Sequence, residues 1–193
     1  MKRDFFIAGI GASAGGLPAL RAFFCAVPEK SGIAYVVLTH LPKCPVSTLG
    51  TILSRHTSLP VVRLTKDTPV EPDHIYVLIE NTMATIDKGI IRIRERRNDE
   101  IINQSVNLFL HSLADDRREK AVGIILSGGG SDGLEGVKQI FKNGGYVMIQ
   151  TPESAEVSGM PESVALFDHP AVAALPDQLP GKLLEHISHK ENN

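Results

Sequence analysis

The stretch Phe5-Phe6-Ile7-Ala8-Gly9-Ile10-Gly11-Ala12-Ser13-Ala14-Gly15-Gly16 decides how the rest of the chain is read. Phe5 to Ile10 is continuously apolar, the pattern of a strand covered on both faces in a parallel sheet. Gly11 to Gly16 interrupts it. Pro18 then opens a helical stripe of Leu17, Leu20, Ala22, Phe23 and Phe24, and Cys25 reads as core on the same side. Pro28 and Gly32 close that helix, and Ile33 to Leu38 predicts a second buried strand ending at Thr39-His40. Strand, helix and strand within about 35 residues form a βαβ unit, which crosses over right-handed in nearly every case.

The alternation continues. Val46 to His56 predicts a helix, Val61 to Leu64 and Ile75 to Ile79 two strands, and Ala84 to Arg94 a β-hairpin turning at Asp87-Lys88-Gly89. Arg92, Arg94, Arg96 and Arg97 on its second arm read as a solvated edge face. Val106 to Asp115 is a predicted helix and Ala121 to Ser127 a central strand, followed by a glycine-rich turn and the helix Leu134 to Lys142. Tyr146 to Gln150 is the last clear strand, and helices over Pro161 to Phe167 and Pro180 to His189 finish the chain. The predicted fold is α/β: a three-layer, doubly wound, mostly parallel sheet with helices on both faces and a β-hairpin. Ligands are then expected where loops leave the carboxyl ends of the strands. One domain is expected over residues 1–189, with 190–193 a disordered tail.

At 193 residues the chain can bury roughly 70% of its unfolded surface in one core. Lys and Arg total 20 against 22 for Asp and Glu, so a strongly basic field for nucleic acid or anionic lipid is excluded. Two cysteines, Cys25 and Cys44, form neither a disulfide framework nor a C-x-x-C pair. Asp4, the short apolar run and the absence of a cleavage site argue against a signal peptide, and no run approaches the roughly 18 apolar residues of a membrane span. A cytoplasmic domain that is not membrane-inserted is expected.

Three strand ends carry polar residues with chemical potential. Gly9-x-Gly11-x-x-Ala14 fits the loose dinucleotide pattern, in which backbone amides at a helix N-terminus approach a pyrophosphate. Gly11-x-Ser13-x-Gly15 equally fits a nucleophile elbow, and the third reading is a tight turn with Ser13 as N-cap. A dinucleotide fold wants an acid at the end of the second strand; Thr39-His40-Leu41-Pro42 stands there instead. An imidazole suits proton transfer from a serine better than a ribose contact, so His40 is a candidate base for Ser13. In Ser127-Gly-Gly-Gly-Ser-Asp-Gly133, Asp132 either caps the following helix or orients His40 through its Nδ1 proton. The other histidines (His56, His74, His111, His169, His186 and His189) show no metal-ligand spacing, with His186 and His189 read as surface residues. Neither metal nor cofactor is expected. Cys44, between prolines and without a base of its own, is set aside as a nucleophile.

At these strand ends the sequence resembles the catalytic domain of the chemotaxis protein-glutamate methylesterases, the CheB family. The matching segments are IGASAGG around Ser13, THLP around His40, LSGGGSDG around Asp132 and SGMPESV from Ser158 to Val164. They occur in the family's order, and the similarity runs from about Phe5 to Ile187. The wording of GIGASAGGLPALRAFF, LSRHTSLPV and FLHSLADD is closest to CheB-like domains fused to a CheR-type methyltransferase. The resemblance implies a serine hydrolase that removes methyl groups from glutamate γ-methyl esters on chemoreceptor helices and can deamidate glutamines. It implies Ser13 as nucleophile, His40 as general base and then acid, and Asp132 as the residue orienting it. Backbone amides near Ala14 and the Gly128 to Gly130 loop, including Gly129 and Gly130, become the candidate oxyanion donors, and Met160 a wall of the site.

Several positions depart from the family's habit, and they motivate an alternative expectation, a catalytically weak or inactive sensory or docking module of the same fold. Ala14 stands where many members have threonine, Gly129 where methionine is frequent, and Asn107 where an Asp is often found. VLIENTMATI lacks the family's Ala-Pro pattern after that strand. The chain contains no receiver domain, so regulation by phosphorylation is expected from a receiver domain or CheR-type methyltransferase in trans, or from a fused portion.

Overall fold

The computed structural model describes residues 5–39 and 48–191. Its main sheet has seven strands in the order β10-β9-β8-β1-β2-β5-β3, and every neighbouring pair runs parallel. These strands are β1 (Ile7–Ala12), β2 (Ala34–Thr39), β3 (Val61–Leu64), β5 (Ile75–Leu78), β8 (Ala121–Ile125), β9 (Tyr146–Gln150) and β10 (Val172–Ala174). A second, antiparallel sheet joins β4 (Thr68–Pro69), β7 (Ile90–Glu95) and β6 (Thr82–Asp87) in the order β4-β7-β6. Among the described residues the α-helices are α1 (Gly16–Cys25), α2 (Leu49–Leu53), α3 (Ser105–Arg117), α4 (Leu134–Lys142), α5 (Gly159–Phe167) and α6 (Leu179–Glu191). The expected doubly wound α/β sandwich is therefore what the chain forms.

Alternation along β1 supplies both layers. Ala8, Ile10 and Ala12 face a core shared with α1, α2 and α6, which contribute Leu20, Phe23, Leu53 and Leu183. Ile7 faces the other core, filled by Phe109, Leu113, Val137, Ile140 and Val164 from α3, α4 and α5. On that second side α3 presses on the sheet at Gly9 and Gly11, where an added Cβ would stand 2.6 Å from Leu110 Cδ2 and 2.5 Å from Val106 Cγ1. β1 lies between β2 and β8, so the chain winds outward in opposite directions from it, and the carboxyl ends of β1 and β8 flank the topological switch point.

Several local expectations need correction. The hairpin turns at Lys88 and Gly89, both at positive φ (50° and 73°), as a two-residue loop of primed type requires. Its second arm, however, is the middle strand of its sheet and not an edge. Asp67 accepts hydrogen bonds from Ile93 N and Arg92 Nη1 (both 2.9 Å), while Arg94 is paired with Glu100. Cys25 is exposed, because the stripe of α1 runs through Gly16, Ala19, Leu20, Phe23 and Phe24 and leaves the next residue about 100° away. Helix α2 stops at Leu53, beyond which Arg55 and His56 bond back only three residues. Strands β4 and β10, two and three residues long, are too short to leave a periodic trace.

The last helix runs through Glu191, past the expected start of the tail, and Lys190 Nζ donates to the Glu119 carbonyl at 3.2 Å. His189 is exposed as expected, but His186 is half-buried. Its ring stacks on Tyr146 (centroids 3.6 Å, planes 13° apart) and its Nε2 is buried. That burial, with Lys190 and His189 nearby, pulls the imidazole below its usual range. Among the described residues no helix is long and apolar enough to cross a membrane.

Candidate active site

Ser13 is the first residue beyond β1. Its N–H donates to the Ser127 carbonyl (2.9 Å), tying the end of β1 to the end of β8, and its own carbonyl accepts from Gly16 N (2.9 Å). Gly15 sits at φ 68°, ψ 3°, the conformation of the third residue of a type II turn, which favours glycine. Space demands the same residue, since a Cβ there would lie 2.6 Å from Glu156 Cβ and 2.8 Å from Ser127 Oγ. The strand thus becomes a helix within three residues and leaves the half-buried Ser13 at the lip of the sheet. Helix α1 has no side-chain cap, so the N-cap reading of Ser13 fails.

The loop after β8 is held from below. The Ser127 hydroxyl donates toward Ala14 O (2.9 Å) and accepts from Val157 N (3.1 Å), and Ser127 N donates to Gln150 Oε1 (2.9 Å). Gln150, itself buried, passes its amide on to Ser154 O (3.0 Å). Neither Ser127 nor Gln150 was singled out from sequence; a lone polar residue closing the apolar run Tyr146 to Gln150 was the available signal. Gly128 N donates to Val157 O and Gly128 O accepts from Met160 N, so of the candidate oxyanion amides that of Gly128 is already engaged. The Gly129 and Gly130 N–H groups have no acceptor among the described residues. A side chain at Gly128 would collide with Met160 Sδ and approach Ser13 Cβ at 3.0 Å. Met160, fully buried, therefore supports the loop from beneath and does not form an open wall.

Asp132 does not cap the helix that follows it. Its Oδ2 accepts from Val106 N (3.0 Å) and its Oδ1 from Asn107 N (2.9 Å), at the start of α3. The start of α4 is capped instead by Asn107, whose Oδ1 accepts from Gly133 N (2.9 Å) and Gly136 N (3.0 Å). Asn107 of α3 thus satisfies free amides at the start of α4, and Asp132, in the loop before α4, satisfies those at the start of α3.

His40 and Cys44 lie outside the described residues. The last described residue of β2, Thr39, stands opposite Ala12 in register, with its Oγ1 buried and unbonded among the described residues. Ser13 and Asp132 thus flank one glycine loop. Beside that loop a cleft of about 410 Å³ is lined by Asn103, Gln104, Asn107, Gly129, Gly130 and Asp132, with the exposed Ile102 at its rim. Among the described residues no group of three or more His, Cys, Asp or Glu side chains could hold a metal ion.

The segment leading into the cleft is pinned by charge. Arg94 reaches both Glu100 carboxylate oxygens (2.9 and 2.5 Å), and Arg97 N donates to Oε2 at 2.7 Å. These hydrogen bonds, Arg94 first, pull the Glu100 carboxyl down to about 2. Arg96 grips the carbonyls of Glu100 and Ile101, leaving the Ile101 and Ile102 side chains in solvent.

The CheB methylesterase family model matches residues 8–183. A protein-glutamate methylesterase/protein-glutamine glutaminase of Bordetella avium (strain 197N) is 31% identical over 169 residues, covering 86% of this chain and 48% of the relative. One from Burkholderia orbicola (strain AU 1054) is 29% identical over 184 residues, covering 94% and 54%. The chain thus spans about half the length of these relatives. The crystal structure of the Thermotoga maritima CheB methylesterase catalytic domain superposes with a TM-score of 0.85 at 25% identity, covering 94% of this chain and 98% of that one.

Proposed function

Because the chain belongs to the CheB methylesterase family, we propose that it hydrolyses glutamate γ-methyl esters on a protein substrate, using Ser13, His40 and Asp132. Ser13 Oγ attacks the ester carbonyl while His40 takes its proton. The tetrahedral oxyanion is stabilised by backbone amides from Ala14, Gly129 and Gly130, at about 3 kcal/mol per donor. Collapse of that intermediate expels methanol, protonated by His40, and leaves a glutamyl-Ser13 ester. Water, deprotonated by His40, then hydrolyses this ester to the glutamate carboxylate and regenerates the serine. Asp132 orients His40 and stabilises its imidazolium form. A glutamine side chain can enter the same cycle and release ammonia. The substrate on this reading is a methylated chemoreceptor helix in the cytoplasm, and control comes from a receiver domain or CheR-type methyltransferase in trans.

The observation that carries this reading is the state of Ser13. It follows the central strand at the switch point, beside a glycine loop with unclaimed amides, and no hydrogen bond engages its hydroxyl among the described residues. The dinucleotide alternative loses its support at the same place, since Gly9 and Gly11 are accounted for by the helix lying on them.

The test is methanol release from a methylated chemoreceptor preparation, run beside Ser13→Ala. We expect release with the native chain and a loss on the order of a million-fold in the variant, by analogy with other triads. Equal release from both would refute the assignment.

A further inference from the structure

We propose that Asn107 is a positioning residue for Asp132, an inference that rests on the reading of Asp132 as the group orienting the base. Its geometry is particular. The Asn107 N–H donates to Asp132 Oδ1 (2.9 Å), and its side-chain oxygen accepts the N–H of Gly133, the peptide immediately after Asp132 (2.9 Å). One residue therefore holds Asp132 by its carboxylate and by the backbone that carries it. Two N–H groups converge on that side-chain atom, the second from Gly136 at 3.0 Å, which identifies it as the oxygen.

Val106 N shares the carboxylate at 3.0 Å, while the peptide after Asp132 is held by the Asn107 side chain. Residues 128–133 contain four glycines, a segment with large conformational freedom and few side chains to order it. The loop is anchored at Gly128 by Val157 and Met160, and Leu134 N bonds back to Ser131 O at 3.2 Å. Gly133 sits at φ 103°, where a Cβ would also stand 2.6 Å from Ile125 Cδ1, so the position calls for glycine. Helices α3 and α4 approach closely enough for the clamp to be short. A Cβ on Gly136 would lie 2.5 Å from Leu110 Cβ and 3.3 Å from Asn107 Cα. Removing the Asn107 oxygen frees the Gly133 and Gly136 amides, so the backbone that carries Asp132 can shift against the Val106 and Asn107 N–H groups that hold its carboxylate.

Three variants test the proposal: Asn107→Ala, Asn107→Ser and Asn107→Asp, the last keeping an oxygen that can accept both amides. Each is assayed well below its own melting temperature for methanol release from methylated receptor, with amide hydrogen exchange measured at Gly133 and Gly136. For Asn107→Ala and Asn107→Ser we expect kcat to fall on the order of 10²-fold with KM within about twofold. The acid limb of kcat/KM should move to lower pH, because a displaced Asp132 no longer stabilises the imidazolium. Asn107→Asp should remain within about threefold of the native chain. Exchange at Gly133 and Gly136 should rise in the Ala and Ser variants and stay low in the Asp variant.

Unchanged kcat and an unmoved acid limb in the Ala and Ser variants would overturn the proposal, as would an Asp variant as impaired as the Ala one. Native exchange rates at Gly133 and Gly136 in Asn107→Ala would overturn it whether or not the protein is active. A native chain that releases no more methanol than Ser13→Ala would instead count against the proposed function, and the exchange measurement would still decide whether the clamp exists.

Discussion

Leu110 of α3 lies directly over Gly9 of β1, so close that a methyl group on residue 9 would stand 2.6 Å from Leu110 Cδ2. Val106 covers Gly11 in the same way one turn earlier. The two glycines exist to let a helix rest on the central strand, and the helix brings Asn107 to Asp132.

Gly9→Ala and Gly11→Ala should each destabilise the fold by about 1–3 kcal/mol through overpacking, measured by urea unfolding. Gly181→Ala is the contrast. It lies in helix α6 with nothing within 4 Å, so the same added methyl should stabilise by up to about 1 kcal/mol. Equal effects at all three sites would contradict the packing account.

Ser13 and Ser127 should behave oppositely. Ser13→Ala removes a hydroxyl with no hydrogen bond among the described residues and should leave stability within about 0.5 kcal/mol of the native value. Ser127 is fully buried and bonded to Ala14 and Val157, so Ser127→Ala should cost about 1–3 kcal/mol. Thermal unfolding of the two variants decides the matter.

His186 makes stability depend on pH near neutrality. Its folded pKa is depressed by burial against Tyr146, so below the ordinary value of 6.5 the unfolded chain takes up the proton more readily. The stabilisation is complete above that value and declines as pH falls through it. His186→Phe should flatten the melting temperature between pH 7.5 and 5.5 relative to the native chain. Parallel curves for the two proteins would rule this out.

Glu100 governs the loop beside the cleft. Its carboxyl is held from 4.5 down to about 2, chiefly by Arg94, so this anchoring is present above pH 4.5 and is lost as pH falls toward 2. Glu100→Gln should raise protease cleavage within residues 96–102 several-fold at neutral pH and leave global unfolding nearly unchanged, since the pair is partly exposed. Cleavage at the native rate would show that the loop is ordered by something else.

Residues adjacent in the chain were legible before the fold was known. The apolar run Phe5 to Ile10, the Asp87-Lys88-Gly89 turn and the helix Leu134 to Lys142 follow from local periodicity and turn chemistry. Cys25, His186 and the arginines of β7 depart from the sequence reading for separate reasons. Helix phase set the first, Tyr146 the second, and Asp67 with Glu100 the third.

The amino-acid order alone determined an α/β chain with polar residues at three strand ends, because buried parallel strands and the turns that follow them leave local signatures. Which glycine serves packing and which serves a turn, and which helix Asp132 caps, were decided only in the tertiary structure. Those answers depend on α3 lying across β1 and against α4, and a contact between residues 25 or 100 positions apart has no local period to announce it.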